Sequence, residues 1–144
     1  MDKLVSWAGR QVFIKVVAQA ILTYAMSVFK LPRDLCSSIQ SMINKFWWGN
    51  NKRGRPIYWA KAEKLLDRKL DGGLRFRDMA CFNDALLAQQ FWRLLKSPNS
   101  LVSHILKAKY FLNCSILEAD LGYRPSFTWR SILGVHSLVI KGAR

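Results

Sequence analysis

The chain has 144 residues, with 23 lysines and arginines against 9 acidic residues and a formal net charge of +14. That length limits it to one domain or a piece of a larger protein. With 51% hydrophobic residues and six tryptophans, it carries too much apolar surface for a disordered basic tail.

In chain order, Ser6 is placed to cap a helix that runs to about Met26. Its apolar positions Val12, Val16 and Ala20, with Phe13, Val17 and Ile21, cover a wide face, and so the sequence predicts a helix packed on more than one side. Lys15 inside this apolar stretch weighs against a membrane span, because a lysine at the bilayer centre costs several kcal/mol. No small-residue cleavage site marks a signal peptide. The first thirty residues are basic and acid-poor, as in a mitochondrial transit segment, but a buried helix is the preferred reading. Nucleus and mitochondrion both stay open as locations.

Leu31-Pro32 breaks the helix. A second helix is expected from about Arg33 to Trp48, with Leu35, Ile39, Met42, Ile43 and Phe46 on its buried face and Gly49 as its stop. A polar, basic loop covers residues 50–56. Ile57-Tyr58-Trp59 reads as strand-like or as a packed anchor, and residues 60–66 as one or two helical turns. Asp71-Gly72-Gly73 is a turn, and Leu74-Arg75-Phe76 a brief extended piece. The clearest helix runs from Asp78 to Leu95. Ser97-Pro98-Asn99 ends it, Ser100 caps another to about Lys109, and residues 110–125 are irregular. Ser126 opens the last helical turns, broken at Gly134. The fold class is therefore all-α: a small helical domain of about five to seven helices with one or two short extended pieces. It divides into residues 1–50, a helical hairpin; 51–77, a basic loop and connector; and 78–144, a helical connector.

Chemistry-bearing patterns are sparse. Cys36, Cys81 and Cys114 are scattered and odd in number, which excludes a disulfide framework, and buried reduced thiols are expected. His104 and His136 lack a second ligand at metal spacing, and so no metal or cofactor is expected. Glu63 and Asp67 fall at i and i+4 but stand among Lys64, Arg68 and Lys69, which favours ion pairing. There is no paired-aspartate motif, phosphate-cradling glycine loop or nucleophile elbow. The chain alone is expected to catalyse nothing and to take no small-molecule substrate.

The charge is concentrated. Lys45, Lys52, Arg53, Arg55, Lys61, Lys64, Arg68, Lys69, Arg75 and Arg77 stand against Glu63, Asp67 and Asp71, with Phe46, Trp47, Trp48, Tyr58, Trp59 and Phe76 interleaved. Cations neutralise phosphates and flat side chains stack on bases, which makes these ten residues the candidate nucleic-acid contacts. Most of the aromatics read as core; Lys52, Arg53 and Arg55, which share a loop with glycine and proline, are the preferred contacts, with a solvated charge run as their alternative. An anionic membrane surface is the second partner class that the charge allows.

Six ordered blocks carry a family resemblance. They are residues 4–32 (LVSWAGRQVFIKVVAQAILTYAMSVFKLP), INKFWWG, IYWAKAEKL, DGGLRFRDMACFNDALLAQQFWRLL, SLVSHILKAKYF and RPSFTWRSILG. Together they resemble the segment after the polymerase core of plant LINE-type (non-LTR) retrotransposon reverse transcriptases. The same region is similar to short plant reading frames described as uncharacterised mitochondrial or ribonuclease H proteins. The resemblance implies a thumb and connector that grip an RNA–DNA template–primer duplex or single strand. The family's catalytic Tyr-x-Asp-Asp motif would precede Met1, and its downstream Cys/His ligands and RNase H carboxylates would follow Arg144, so the resemblance implies a fragment. The family often has glycine where this chain has Arg75. The alternative function is an organellar structural or assembly protein with no nucleic-acid partner.

Overall fold

The computed structural model describes residues 6–49 and 57–142, and these are all-helical, with no strand among them, in the small helical domain expected. The chain forms two compact units, residues 1–23 with 31–82 and residues 24–30 with 83–144.

In the first unit the Ser6 hydroxyl accepts from the Gly9 N–H at 3.2 Å and starts α1, Trp7–Val12. A π-helical stretch follows at Phe13–Ala18, then α2, Gln19–Val28. The expectation of a helix buried on several sides is corrected. Of the apolar side chains here Ile14 and Met26 are buried, whereas Val12, Phe13, Val16, Val17 and Ile21 are exposed. Within the unit, Trp7 and Phe13 pack against Trp47 and Phe46 of α3, Arg33–Trp48, with ring centroids 5.2 and 5.3 Å apart. Apolar composition alone supplies no partner for the remaining face. The helix Trp7–Val28 is also long and apolar enough to cross a membrane by length and composition, with mean hydropathy 1.4.

Helix α3 has the predicted bounds, and Gly49, at φ +68°, closes it by donating to the Lys45 carbonyl at 3.1 Å. Its buried face differs from the expected one. Cys36, Ile39, Ile43 and Trp47 are buried, whereas Leu35, Met42 and Phe46 are exposed. Trp47 meets Phe76 edge to face at 5.5 Å, and this contact sets the rotation of the helix.

After the short α4, Ala62–Leu66, a 3₁₀ turn at Lys69–Asp71 leads into a doubled-back segment. Leu74 N–H and Phe76 N–H both donate to the Leu65 carbonyl, and Arg75 N–H donates to that of Asp67. Two donors on one carbonyl cannot propagate a ladder, so the extended piece expected at residues 74–76 forms no strand; nor does the one at 57–59. Asp78 Oδ1 then accepts from Ala80 and Cys81 N–H at 2.8 and 3.0 Å and starts α5, Met79–Lys96.

The second unit is organised around Asn83, whose Nδ2 donates to the carbonyls of Met26 and Phe29 at 2.7 and 2.9 Å, satisfying the end of α2. Lys30 pairs with Asp84 at 3.0 Å, and its N–H donates to the Ser131 hydroxyl. Helix α6, Leu101–Tyr110, and α7, Phe127–Leu133, are capped by Ser100 and Ser126 as predicted, and α8 spans His136–Gly142. The core joins Phe91, Leu94, Leu106, Phe111, Ile116, Trp129, Ile132 and Val139. Cys36 is the buried thiol, while Cys81 and Cys114 are exposed, which corrects the expectation of buried cysteines.

Candidate nucleic-acid interface

The turn after α4 decides where the basic residues of the first unit go. Gly72 takes φ +80°, and Gly73 lies so close to Asp67 that a Cβ there would overlap the Asp67 carbonyl. The tight return brings Arg75 alongside Asp67. Arg75 itself holds φ +56°, a left-handed conformation that costs a non-glycine residue about 1–2 kcal/mol. The glycine common at this place in the resembling family would adopt it without strain.

Lys15 joins the candidate site, and reading the sequence missed it. Its Nζ donates to the Leu74 carbonyl at 2.8 Å and lies 5.8 Å from the Phe76 ring centroid. Its pKa is held below the ordinary lysine value by burial first, then by Lys69, then by Arg75. The hydrogen bond to Leu74 sets Lys15, from the π-helical stretch, beside the strained return that carries Arg75, and Lys69 of the 3₁₀ turn and Arg75 both act on it through their charge. Lys69 and Arg75 are exposed, and neither has an ion-pair partner among the described residues. Only the contact across some sixty residues reveals Lys15, since in sequence it reads as an interruption of an apolar helix.

The other predicted contacts divide by environment. Lys45, Lys61 and Arg68 are exposed at the end of α3, before α4 and before the 3₁₀ turn. Lys64 is paired with Asp67 at 3.4 Å, and the Arg77 guanidinium lies 4.3 Å from the Phe82 ring centroid. Lys52, Arg53 and Arg55 lie outside the described residues. Among the interleaved aromatics Trp47 and Phe76 are buried, whereas Tyr58 and Trp59 are exposed. Helix α4 ends at Leu66, so Glu63 and Asp67 do not share a helix face, and Asp67 serves Lys64.

Cations stand beside rings in the second unit too: Lys96 at Trp92, Lys109 at Tyr110 and Arg124 at Tyr123, each 5.2–5.4 Å from the centroid. Arg124 is also left-handed, at φ +54°. The two non-glycine residues at positive φ among the described residues are thus both arginines, where glycine or asparagine would be less strained.

With this geometry in view, comparison with known proteins identifies relatives. The chain is 42% identical over 124 residues to the "Uncharacterized mitochondrial protein AtMg00310" of Arabidopsis thaliana, covering 85% of this chain and 80% of the relative. It is 31% identical over 144 residues to the "Putative ribonuclease H protein At1g65750" of the same plant, covering 98% of this chain and 23% of that relative. The chain therefore belongs to the family of the plant protein AtMg00310, and it spans under a quarter of the ribonuclease H relative. No family model matches, and no solved structure matches.

Proposed function

We propose that the protein is a non-catalytic nucleic-acid-binding remnant of a LINE-type retrotransposon reverse transcriptase, corresponding to the thumb and connector that grip the template–primer. The carrying observation is the hydrogen bond that sets Lys15 at Leu74, next to Arg75 in the chain, with Arg75, Lys69, Arg68, Lys61 and Lys45 all exposed on the same unit. Like charges close enough to depress a lysine pKa repel one another, and a polyanion relieves that repulsion while releasing its counterions. The six ordered blocks support a retroelement origin, as does a match to part of a larger relative named for ribonuclease H. Polymerase and RNase H chemistry belong, on this reading, to sequence outside these residues.

The test is charge neutralisation. Lys69→Gln with Arg75→Gln is expected to weaken binding of a labelled RNA–DNA hybrid by about tenfold, uniformly across sequences, because phosphate contacts position without reading bases. Unchanged affinity contradicts the reading.

A second reading, an organellar structural or assembly protein without a nucleic-acid partner, is favoured by the relative named as mitochondrial and by the exposed apolar face of the first helix. A fluorescent fusion of residues 1–30 discriminates. Mitochondrial delivery supports this second reading, and a diffuse signal removes its import argument.

A further inference from the structure

We infer that the tip formed by residues 121–125 of the second unit is a stacking site for an unpaired nucleobase. This rests on the nucleic-acid reading above and adds to it the class of ligand, a single strand. Tyr123 is 88% exposed, and the Arg124 guanidinium lies 5.2 Å from its ring centroid, so a ring face and a planar cation are offered together.

The tip is held rather than loose. Gly122 takes φ +67° and Arg124 φ +54°, and Pro125 follows with its fixed φ. Both flanks are tied to one aromatic stack. Trp129 Nε1 donates to the Asp120 carbonyl at 3.4 Å, and Ser126 N–H donates to the Tyr110 hydroxyl at 2.9 Å. Tyr110 and the buried Trp129 stack in parallel at 4.9 Å. The two side chains that tie the flanks thus belong to α6 and α7. A pre-set platform loses less conformational freedom when it binds.

The chemistry selects the ligand. A ring this exposed gains by stacking on another flat apolar surface, and an arginine kept in a strained conformation beside it adds a cation for the adjoining phosphate. Lys109 stands beside the Tyr110 ring, so the stack that ties the tip carries a cation of its own. A net charge of +14 favours a flat partner that carries negative charge. A duplex hides its base faces inside the helix, whereas a single strand offers them.

The test uses the full 144-residue chain, a single-stranded oligonucleotide of about 12 nucleotides carrying 2-aminopurine, and the same oligonucleotide as a blunt duplex. Binding is expected to quench 2-aminopurine in the single strand. Tyr123→Ala should abolish the quench and weaken single-strand affinity about tenfold, while duplex affinity stays within about twofold. Tyr123→Phe should keep the wild-type behaviour, since the ring rather than the hydroxyl acts. If Tyr123→Ala binds the single strand as wild type does, or loses both ligands equally, the stacking site is wrong while the cationic interface stands. If the wild-type chain binds neither oligonucleotide at low salt, both proposals fall.

Discussion

The Lys15 ammonium donates to the Leu74 carbonyl at 2.8 Å, tying the first helix to the turn that carries Arg75. Burial, then Lys69, then Arg75 lower its pKa from the ordinary 10.5. The folded state therefore binds fewer protons than the unfolded chain between the lowered value and 10.5, and stability rises with pH across that window. Lys15→Met removes this dependence. Urea midpoints of the two proteins should shift in favour of the wild type as pH approaches 10.5. A pH-independent difference between them contradicts the coupling.

On the proposed function, Arg75 sets stability against binding. Arg75→Gly relieves a strain of about 1–2 kcal/mol but frees the unfolded chain by about 0.5–1 kcal/mol, leaving a net gain of about 0.5 kcal/mol. It also removes one of the candidate site's cations. Thermal melting should rise while nucleic-acid affinity falls several-fold. A variant both more stable and equally tight in binding shows that the arginine has no ligand role.

Gly73 governs the path of the same turn. Gly73→Ala drives a methyl group into the Asp67 carbonyl, backbone that cannot swing aside. Overpacking of this kind costs about 1–3 kcal/mol. Chemical denaturation should show that loss, with binding weakened because Arg75 is displaced. Wild-type stability argues against the close approach.

Asn83 tests the second unit. Asn83→Ala leaves the Met26 and Phe29 carbonyls without their shared donor and should cost about 2 kcal/mol. Asn83→Asp should cost more, since a carboxylate then faces two carbonyl oxygens. The order of the two denaturation midpoints checks this, and an aspartate variant as stable as wild type contradicts it.

What the sequence disclosed was local. Ser6, Asp78, Ser100 and Ser126 each announce a helix start within three residues, and all four cap as expected. Leu31-Pro32 and Gly49 bound α3 for equally local reasons. The buried face of α3 was not legible, because apolar residues ring much of the helix and the contact of Trp47 with Phe76 chooses among them. The first helix misleads in the same way, since its composition promises burial that only a neighbour can provide. At the candidate site, Lys69 and Arg75 follow from charge density, but Lys15 does not. Its role depends on a hydrogen bond to a carbonyl 59 residues away. The strain at Arg75 is foreshadowed only by the glycine common at that place in the resembling family.

The central claim is that the cations of the candidate site hold a phosphodiester backbone, and the salt dependence of binding tests it most directly. Labelled RNA–DNA hybrid should be titrated with the full chain at low and at fourfold higher salt. If Lys15, Lys69 and Arg75 each neutralise a phosphate, the slope of log affinity against log salt is about −2 to −3, a loss of roughly 20- to 60-fold over that range. A slope near zero, or no binding at the lower salt, contradicts the account.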